Sequence, residues 1–300
     1  MRKQRRRRRS RALAGAVAVT AVLGVAGCDV LGGSSAATKS ERTRAARAVQ
    51  VWDRSPASIA AVGDSITRGF DACTVLSDCP EVSWATGTSE QVDSLAVRLL
   101  GRAQAADHSW NYAETGARMA DLPGQMADAA VRRPQLVTVM VGANDACRTS
   151  VRAMTPVADF RSEFEDALAT LRKALPKTQV YVASVPNLKR LWSEGRTNPL
   201  GKQVWKLGIC PSMLSDADNL TSAATVRRDK VQQRVEDYNK VLREVCAKDR
   251  RCRFDGGAVY AYRFGTGQLS HWDWFHPSTD GQSKLAAIAY RAVTAKDPVD

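Results

Sequence analysis

The sequence is poor in histidine, contains no Cys-x-x-Cys pair and has no apolar run long enough to cross a membrane. Its three histidines are His108, His271 and His276, so few side chains could act as a general base near neutral pH. The missing Cys-x-x-Cys pair argues against a zinc ribbon. The longest apolar stretch, residues 12–26, is shorter than the roughly 20 residues of a membrane helix.

The positive charge of the chain is concentrated at its amino end. The chain has 44 basic and 31 acidic residues and a formal net charge of +13. Eight of the basic residues lie in residues 1–27, which contain no acidic residue, and this leaves 36 basic against 31 acidic residues, a net charge of +5. That balance is ordinary for a soluble domain, so we expect no nucleic-acid partner.

Residues 1–27 have the pattern of an export signal, with a basic start, an apolar stretch and small residues at the end. The segment ends in Val25-Ala26-Gly27-Cys28, which resembles the lipobox of bacterial lipoproteins. The resemblance implies cleavage before Cys28, a diacylglycerol on its thiol and attachment to the outer face of the cell membrane. The alternative is a simple secretory signal and a secreted protein. The export route, general or twin-arginine, stays open.

The remaining cysteines support export, because their number is even and an oxidising compartment favours disulfides. They are Cys73, Cys79, Cys147, Cys210, Cys246 and Cys252. Six cysteines allow many connectivities. The locally plausible set pairs Cys73 with Cys79, Cys147 with Cys210 and Cys246 with Cys252. Six free, buried thiols are the alternative.

Strands and helices are predicted to alternate along one domain, residues 56–300, which follows a flexible linker at residues 28–55. Short apolar segments bounded by Gly or Pro predict strands at residues 58–65, 110–115, 136–141, 179–185 and 252–255. Helical patterns cover residues 89–100, 119–131, 155–175, 219–248 and 277–295. Residues 187–218 show no clear period and are interpreted as a long insertion. The alternation predicts an α/β fold with a parallel sheet and helices on both faces.

Four short segments stand at the predicted strand ends or in the loops that follow. They are Gly63-Asp64-Ser65, residues 111–117 around Gly116, Gly142-Ala143-Asn144-Asp145, and Asp273-Trp274-Phe275-His276-Pro277. In this order they resemble the four blocks of the SGNH or GDSL hydrolase family, over about residues 56–295. The resemblance implies a flavodoxin-like three-layer α/β/α fold with a five-stranded parallel sheet. It also implies ester hydrolysis without a metal or cofactor.

The residues also suggest how an ester would be cleaved. A serine hydroxyl needs a nearby base to become a nucleophile, and one loop carries both His276 and, three residues earlier, Asp273. We therefore predict Ser65 as nucleophile, His276 as base and Asp273 as the carboxylate that orients it. The family resemblance implies the same three roles. Ile66 replaces the family's leucine, which is a conservative change.

The family resemblance also implies an oxyanion hole. Its donors would be the backbone N–H groups of Ser65 and Gly116 and the side-chain amide of Asn144. A glycine at position 116 is expected because a side chain would obstruct a backbone donor facing the substrate. Asp64 and Asp145 are expected to hold the neighbouring loops through hydrogen bonds, without a role in the chemistry.

The sequence thus predicts a monomeric, extracytoplasmic serine esterase, tethered by lipid on Cys28 and acting on a lipid or simple acyl ester. A carbohydrate O-deacetylase, an acyltransferase and a non-catalytic binding lipoprotein are the alternatives. A Cys147–Cys210 bond would bring the 187–218 insertion near the active site, where we expect it to shape or cover the substrate pocket.

Overall fold

Five short apolar strands form one parallel sheet. The computed structural model describes residues 52–298, so the predicted export signal, Cys28 and most of the predicted linker lie outside the described residues. The strands are Ile59–Gly63 (β1), Ser109–Asn111 (β2), Leu136–Met140 (β3), Gln179–Val182 (β4) and Cys252–Phe254 (β5). They pair in the order β2-β1-β3-β4-β5. This is the flavodoxin-like order, so the predicted fold class is confirmed.

Helices cover both faces of the sheet. They are Ser65–Arg68 (α1), Leu95–Leu100 (α2), Arg102–His108 (α3), Leu122–Val131 (α4), Ala143–Ala146 (α5), Val157–Ala174 (α6), Leu188–Gly195 (α7), Pro199–Trp205 (α8), Pro211–Leu214 (α9), Ser222–Cys246 (α10), Ala258–Ala261 (α11) and Thr279–Thr294 (α12). Helices α4, α6 and α10 pack together, and α2 packs on α12. The crossover from β1 to β2 and the crossover from β2 to β3 run in opposite directions along the sheet, so right-handed connections put these two groups on opposite faces. Among residues 52–298, no helix has the length and apolarity needed to span a membrane.

The first strand is shorter than predicted, and this moves Ser65 off the sheet. Gly63 has a φ of +144°, and a Cβ on it would lie 2.1 Å from the carbonyl oxygen of Met140. Only glycine tolerates that approach, so the chain turns at Gly63. Ser65 becomes the first residue of α1.

The helix predicted over residues 89–100 is wrong at its start. Asp93 has a φ of +50°, a left-handed conformation that interrupts a right-handed helix. Helix α2 therefore begins at Leu95, with the Ser94 side chain accepting the N–H of Val97 as its N-cap. Gly101, with a φ of +79°, separates α2 from α3.

The insertion at residues 187–218, interpreted as lacking a clear period, is helical. It contains α7, α8 and α9. Helix α7 buries apolar side chains at helical spacing over its two turns, a short period that sequence analysis missed. Local capping signals were present. The side chains of Asn187 and Asn198 cap α7 and α8, and Pro199 and Pro211 occupy the first positions of α8 and α9.

Three disulfides connect the six described cysteines. They join Cys73 to Cys79, Cys147 to Cys210 and Cys246 to Cys252, the set that the sequence favours. The second spans 63 positions and ties the insertion to the loop after β3. A cross-link of that span removes about 4 kcal/mol of conformational freedom from the unfolded chain in the loop-entropy model.

Two residues of the predicted linker contact the folded domain. The Trp52 indole N–H donates to the carbonyl of Val293 over 2.9 Å. The Gln179 side-chain amide donates to the carbonyl of Asp53 over 2.9 Å. The packed chain therefore includes residues upstream of position 56.

Arg228 holds the insertion onto α10. Its buried guanidinium donates to the carbonyls of Met213, Asp216 and Asn219, over 3.3, 2.8 and 2.8 Å. It also lies 4.3 Å from the centre of the Trp192 ring. One side chain thus serves three carbonyls at the end of the insertion.

We predict that Arg228→Met lowers the free energy of unfolding by about 2–4 kcal/mol, because three carbonyls lose their donor. Urea unfolding of the full chain measures the change. The control is Lys230→Met, at an exposed position on the same helix, which should stay within about 0.5 kcal/mol of wild type. Equal stabilities of the two variants would contradict the prediction.

Candidate active site

Ser65, Gly116 and Asn144 follow β1, β2 and β3 and lie at the carboxyl edge of the sheet. This is where the strand order changes direction, the usual place for ligands in such sheets. Ser65 stands at the start of α1, whose N-cap is Asp64. The Asp64 carboxylate accepts the N–H of Ile66 over 3.0 Å. The tight turn lifts the serine above the strand.

Ser65, His276 and Asp273 form a continuous hydrogen-bonded chain. The Ser65 Oγ lies 2.8 Å from His276 Nε2, and His276 Nδ1 lies 2.5 Å from an Asp273 carboxylate oxygen. A carboxylate on Nδ1 holds the proton there and leaves Nε2 free to accept one from the serine. The structure therefore brings together the three predicted catalytic residues.

Asp273 is buried, and its carboxylate is surrounded by donors. One oxygen accepts the backbone N–H groups of Phe275 and His276, each over 2.9 Å, while the other faces the His276 ring. Burial would raise the pKa of Asp273, but the charge and hydrogen bonds of His276 outweigh it and hold that pKa below its ordinary value. Asp273 stays ionised.

The electrostatic surroundings of His276 favour its charged form. Burial would lower the pKa of His276, but the charge and hydrogen bond of Asp273 outweigh it, and the charges of Asp64 and Asp71 add to them, so the pKa is raised. Asp64 is fully buried, and burial raises its pKa to about 7. Three carboxyl groups thus act on one imidazole.

Two of the three predicted oxyanion donors have no partner among the described residues. Within residues 52–298, the N–H groups of Ser65 and Gly116 donate to no protein acceptor. The Asn144 amide donates one hydrogen to the carbonyl of Ala117 over 2.9 Å, and its second hydrogen is available. The three predicted oxyanion donors are thus free to bind a ligand.

Glycine at position 116 has a backbone reason in addition to the one expected, which stays a prediction. Its φ is +89°, and a Cβ built on it would meet nothing within 4 Å. The backbone conformation therefore requires glycine there, and the space above it is open.

Asp64 and Asp145 both make the expected hydrogen bonds with backbone N–H groups. Asp145 accepts the backbone N–H of Met119 over 3.0 Å and the Thr155 hydroxyl over 2.7 Å, and so joins the loops that follow β2 and β3. Of the remaining histidines, His271 is exposed and its ring lies tilted against that of Trp272, and His108 is exposed at the end of α3.

The insertion supports the loop that carries Asp273 and His276. The buried Trp205 donates its indole N–H to the Asp273 carbonyl over 2.8 Å. A Cβ on Gly201 would come within 3.1 Å of the Trp274 indole, so helix α8 packs closely on that loop. The prediction that the insertion lies near the active site agrees with these contacts. Covering of the pocket stays a prediction.

Sequence analysis missed several polar residues that hold the serine turn. Gln125 pairs with both backbone groups of Gly63, over 2.7 and 3.0 Å, and Gln282 donates to the carbonyl of Ile66 over 2.8 Å. Both lie on apolar helix faces, where a buried glutamine needs a polar partner. A glutamine on an otherwise apolar helix face was therefore the sequence signal that could have revealed these two residues.

Within the part of the chain that the structure describes, two clusters have the donor types that bind metal ions. Asp71, Asp273 and His276 each place one such atom within 4.8 Å of the others. The second cluster joins Glu81 to Cys73 and Cys79, but the disulfide occupies both sulfurs and leaves no thiolate for a metal.

We predict that Trp205→Phe lowers the free energy of unfolding by about 1–3 kcal/mol, because the buried Asp273 carbonyl loses its donor. Trp272→Phe is the control, since Trp272 is partly exposed, at 37%, and should change the stability by less than about 0.5 kcal/mol. Chemical denaturation of the full chain compares the two. The prediction fails if both variants match the wild type.

Comparison with known proteins identifies the family. The model of the GDSL-like lipase/acylhydrolase family matches residues 59–289. Comparison with curated proteins gives no significant match.

Several solved structures are similar at low sequence identity. An extracellular lipase from Streptomyces rimosus is 18% identical, with 79% of this chain and 99% of that chain covered and a TM-score of 0.45. A lipase from a goat rumen metagenome is 14% identical, with 79% and 96% covered and a TM-score of 0.49. A family 3 carbohydrate esterase from Clostridium thermocellum is 14% identical, with 78% and 93% covered and a TM-score of 0.45. The match over residues 59–289 shows that the chain belongs to the GDSL-like lipase/acylhydrolase family and is a hydrolase of carboxylic esters.

Proposed function

We propose that the protein hydrolyses esters through a Ser65 nucleophile, a His276 base and an Asp273 carboxylate that orients the base. The observation that carries the proposal is the 2.8 Å contact between Ser65 Oγ and His276 Nε2, with Asp273 on the other ring nitrogen. In this arrangement His276 accepts the serine proton as the oxygen attacks the ester carbonyl.

The reaction then proceeds by two displacements. His276 returns the proton to the departing alcohol, which leaves the acyl group on Ser65. Water, deprotonated by the same imidazole, attacks the acyl-enzyme and releases the acid. Asp273 stabilises the imidazolium that forms in both steps. Its burial, with two backbone N–H groups donating to its carboxylate, supports that role.

The oxyanion of each tetrahedral intermediate would bind the backbone N–H groups of Ser65 and Gly116 and the side-chain amide of Asn144. Support comes from the two unpaired N–H groups and from the second amide hydrogen of Asn144. Donors without another partner give up no hydrogen bond when the charge develops, and the loss of one such donor costs about 10²–10³ in kcat.

The proposed setting is the outside of the cell, with the domain tethered by lipid on Cys28. Three disulfides support an oxidising compartment. A secreted form without the lipid is the alternative. A lipid or simple acyl ester is the proposed substrate, and no metal or cofactor enters the mechanism.

A carbohydrate O-deacetylase would use the same residues and stays an alternative. An acyltransferase would differ only in passing the acyl group to an alcohol. A non-catalytic binding lipoprotein is the least favoured alternative, because binding alone gives no reason to align Ser65 with an imidazole and a buried carboxylate.

We predict that Ser65→Ala and His276→Gln each lower kcat on p-nitrophenyl esters by at least about 1,000-fold, because the nucleophile or its base is lost. His271→Gln removes an exposed histidine of the same loop and should keep wild-type activity. The assay uses the full chain and acyl groups from acetyl to palmitoyl.

The dependence on acyl length separates the candidate substrates. An optimum at long chains supports a lipid ester, and an optimum at acetyl supports the deacetylase. Undiminished turnover in Ser65→Ala would overturn the proposed nucleophile.

We further predict that kcat/KM falls as the pH drops through a midpoint above about 6.5, the ordinary pKa of histidine. The base must be neutral, and the charge of Asp273 raises the pKa of His276, so the active form is lost on the acidic side. A pH-stat titration from about pH 5 to about pH 9 measures this. His271→Gln should not move the midpoint, and a wild-type midpoint below 6 would contradict the prediction.

A further inference from the structure

A second carboxyl group, Asp71, is built into the catalytic cluster without a role in the mechanism above. Asp71 is 2% exposed, and one oxygen, the nearest Asp273 oxygen and a His276 ring nitrogen all lie within 4.8 Å of one another. Its other contacts are specific. The Asp71 side chain accepts the backbone N–H of Leu76, and its carbonyl accepts the Ser270 hydroxyl over 2.6 Å.

The backbone at Asp71 is also held in an uncommon conformation. Its φ is +56°, in the left-handed region that side chains other than Asn, Asp and Gly rarely adopt. The loop closed by the Cys73–Cys79 disulfide fixes this geometry, since the Asp71 N–H donates to the carbonyl of Ser77 over 3.0 Å. The fold therefore directs this carboxyl group at Asp273.

Two adjacent buried carboxyl groups cannot both ionise freely. Asp273 has three donors on its oxygens, namely two backbone N–H groups and the His276 ring. Asp71 has the N–H of Leu76. The donors favour the charge on Asp273, so Asp71 is the group that retains a proton more readily. Burial and then the charge of Asp273 raise the pKa of Asp71 to about 6.

We propose that Asp71 is a positioning residue that acts through His276, because its charge sets the pH range over which the imidazole is neutral. This inference rests on the proposed function of Asp273 and His276. When protonated, Asp71 can donate a hydrogen bond to Asp273. When ionised, it adds a negative charge that favours the imidazolium.

The other groups around His276 are accounted for. The charges of Asp64, which follows β1, and of Asp273, on the loop that carries His276, act on the imidazole. The ring centres of Phe70 and Phe275 lie 5.0 and 5.1 Å from that of His276. On the Asp71 loop, Arg68 pairs with Asp78 over 3.1 Å. The charge of that pair is balanced, so Asp71 is the group on this loop that can change the charge beside His276.

Asp71→Asn isolates the charge. Asparagine tolerates the left-handed backbone, its oxygen can accept the Leu76 N–H, and its amide can donate to Asp273 as a protonated Asp71 would. The matched control is Asp93→Asn. Asp93 shares the left-handed conformation, with a φ of +50°, but pairs with Arg98 on α2.

The test is the pH profile of kcat/KM for the full chain and the two variants. Asp71→Asn should keep plateau activity within about fivefold and move the acidic limb about 0.5–1 pH unit lower, because a negative charge near His276 is lost. Asp93→Asn should leave the limb in place. A limb for Asp71→Asn that coincides with the wild type would overturn the inference.

Ser65→Ala and His276→Gln separate this inference from the proposed function. If either variant keeps wild-type turnover, the proposed function fails. If both lose turnover and the Asp71→Asn limb stays unmoved, only the role of Asp71 fails.

A titration without turnover covers the case in which Asp71→Asn does not fold. NMR of the full chain follows the His276 ring Cε1–H signal, assigned by its absence in His276→Gln. Asp64 also acts on this ring, with a pKa raised to about 7, so the titration is repeated on Asp64→Asn. A second ionisation, beside that of His276, which persists in Asp64→Asn supports the inference. A single ionisation overturns it.

Discussion

The structure depends on keeping one ionised carboxylate, Asp273, away from water. A buried charge is costly unless donors surround it, and the loop supplies three, from two backbone N–H groups and the His276 ring. Those contacts fix the orientation of the His276 ring, and its Nε2 then lies within hydrogen-bond distance of the Ser65 hydroxyl. The backbone of Asp273 is held from behind by Trp205. The positions of the catalytic side chains therefore depend on the loop that carries Asp273 and His276, and that loop depends on its contact with the insertion.

Much of the fold could be predicted because parallel strands buried on both faces are continuous apolar runs. Residues 136–141 and 179–185 are of this kind, and β3 and β4 lie within them. The ends were less predictable, since Gly63 and Asp93 turn the chain through backbone conformations that apolar patterns do not encode. The short helices of the insertion escaped for another reason, because an apolar spacing over two turns, as in α7, is a weak signal, and α8 and α9 are shorter still.

The candidate site divides in the same way. Ser65, Asn144, Asp273 and His276 stand next to strand ends or in short blocks, where position alone suggested chemistry. Asp71, Trp205 and Gln282 contact the site from distant parts of the sequence. The Gln282 amide reaches Ile66 across 216 positions, and the Asp71 carbonyl meets Ser270 across 199. Such contacts arise only once the chain is folded, so the reading of one segment at a time could not reveal them.

The Cys147–Cys210 bond has a consequence for how the cleft can change shape. Cys147 comes three residues after Asn144, and Cys210 comes five residues after Trp205. The bond therefore acts as a covalent bracket between the proposed oxyanion side and the base side of the site. These two walls cannot move apart unless the insertion itself bends. The small loop closed by Cys73 and Cys79, where Val75 and Leu76 are exposed, lies outside this bracket, because its disulfide joins no other segment.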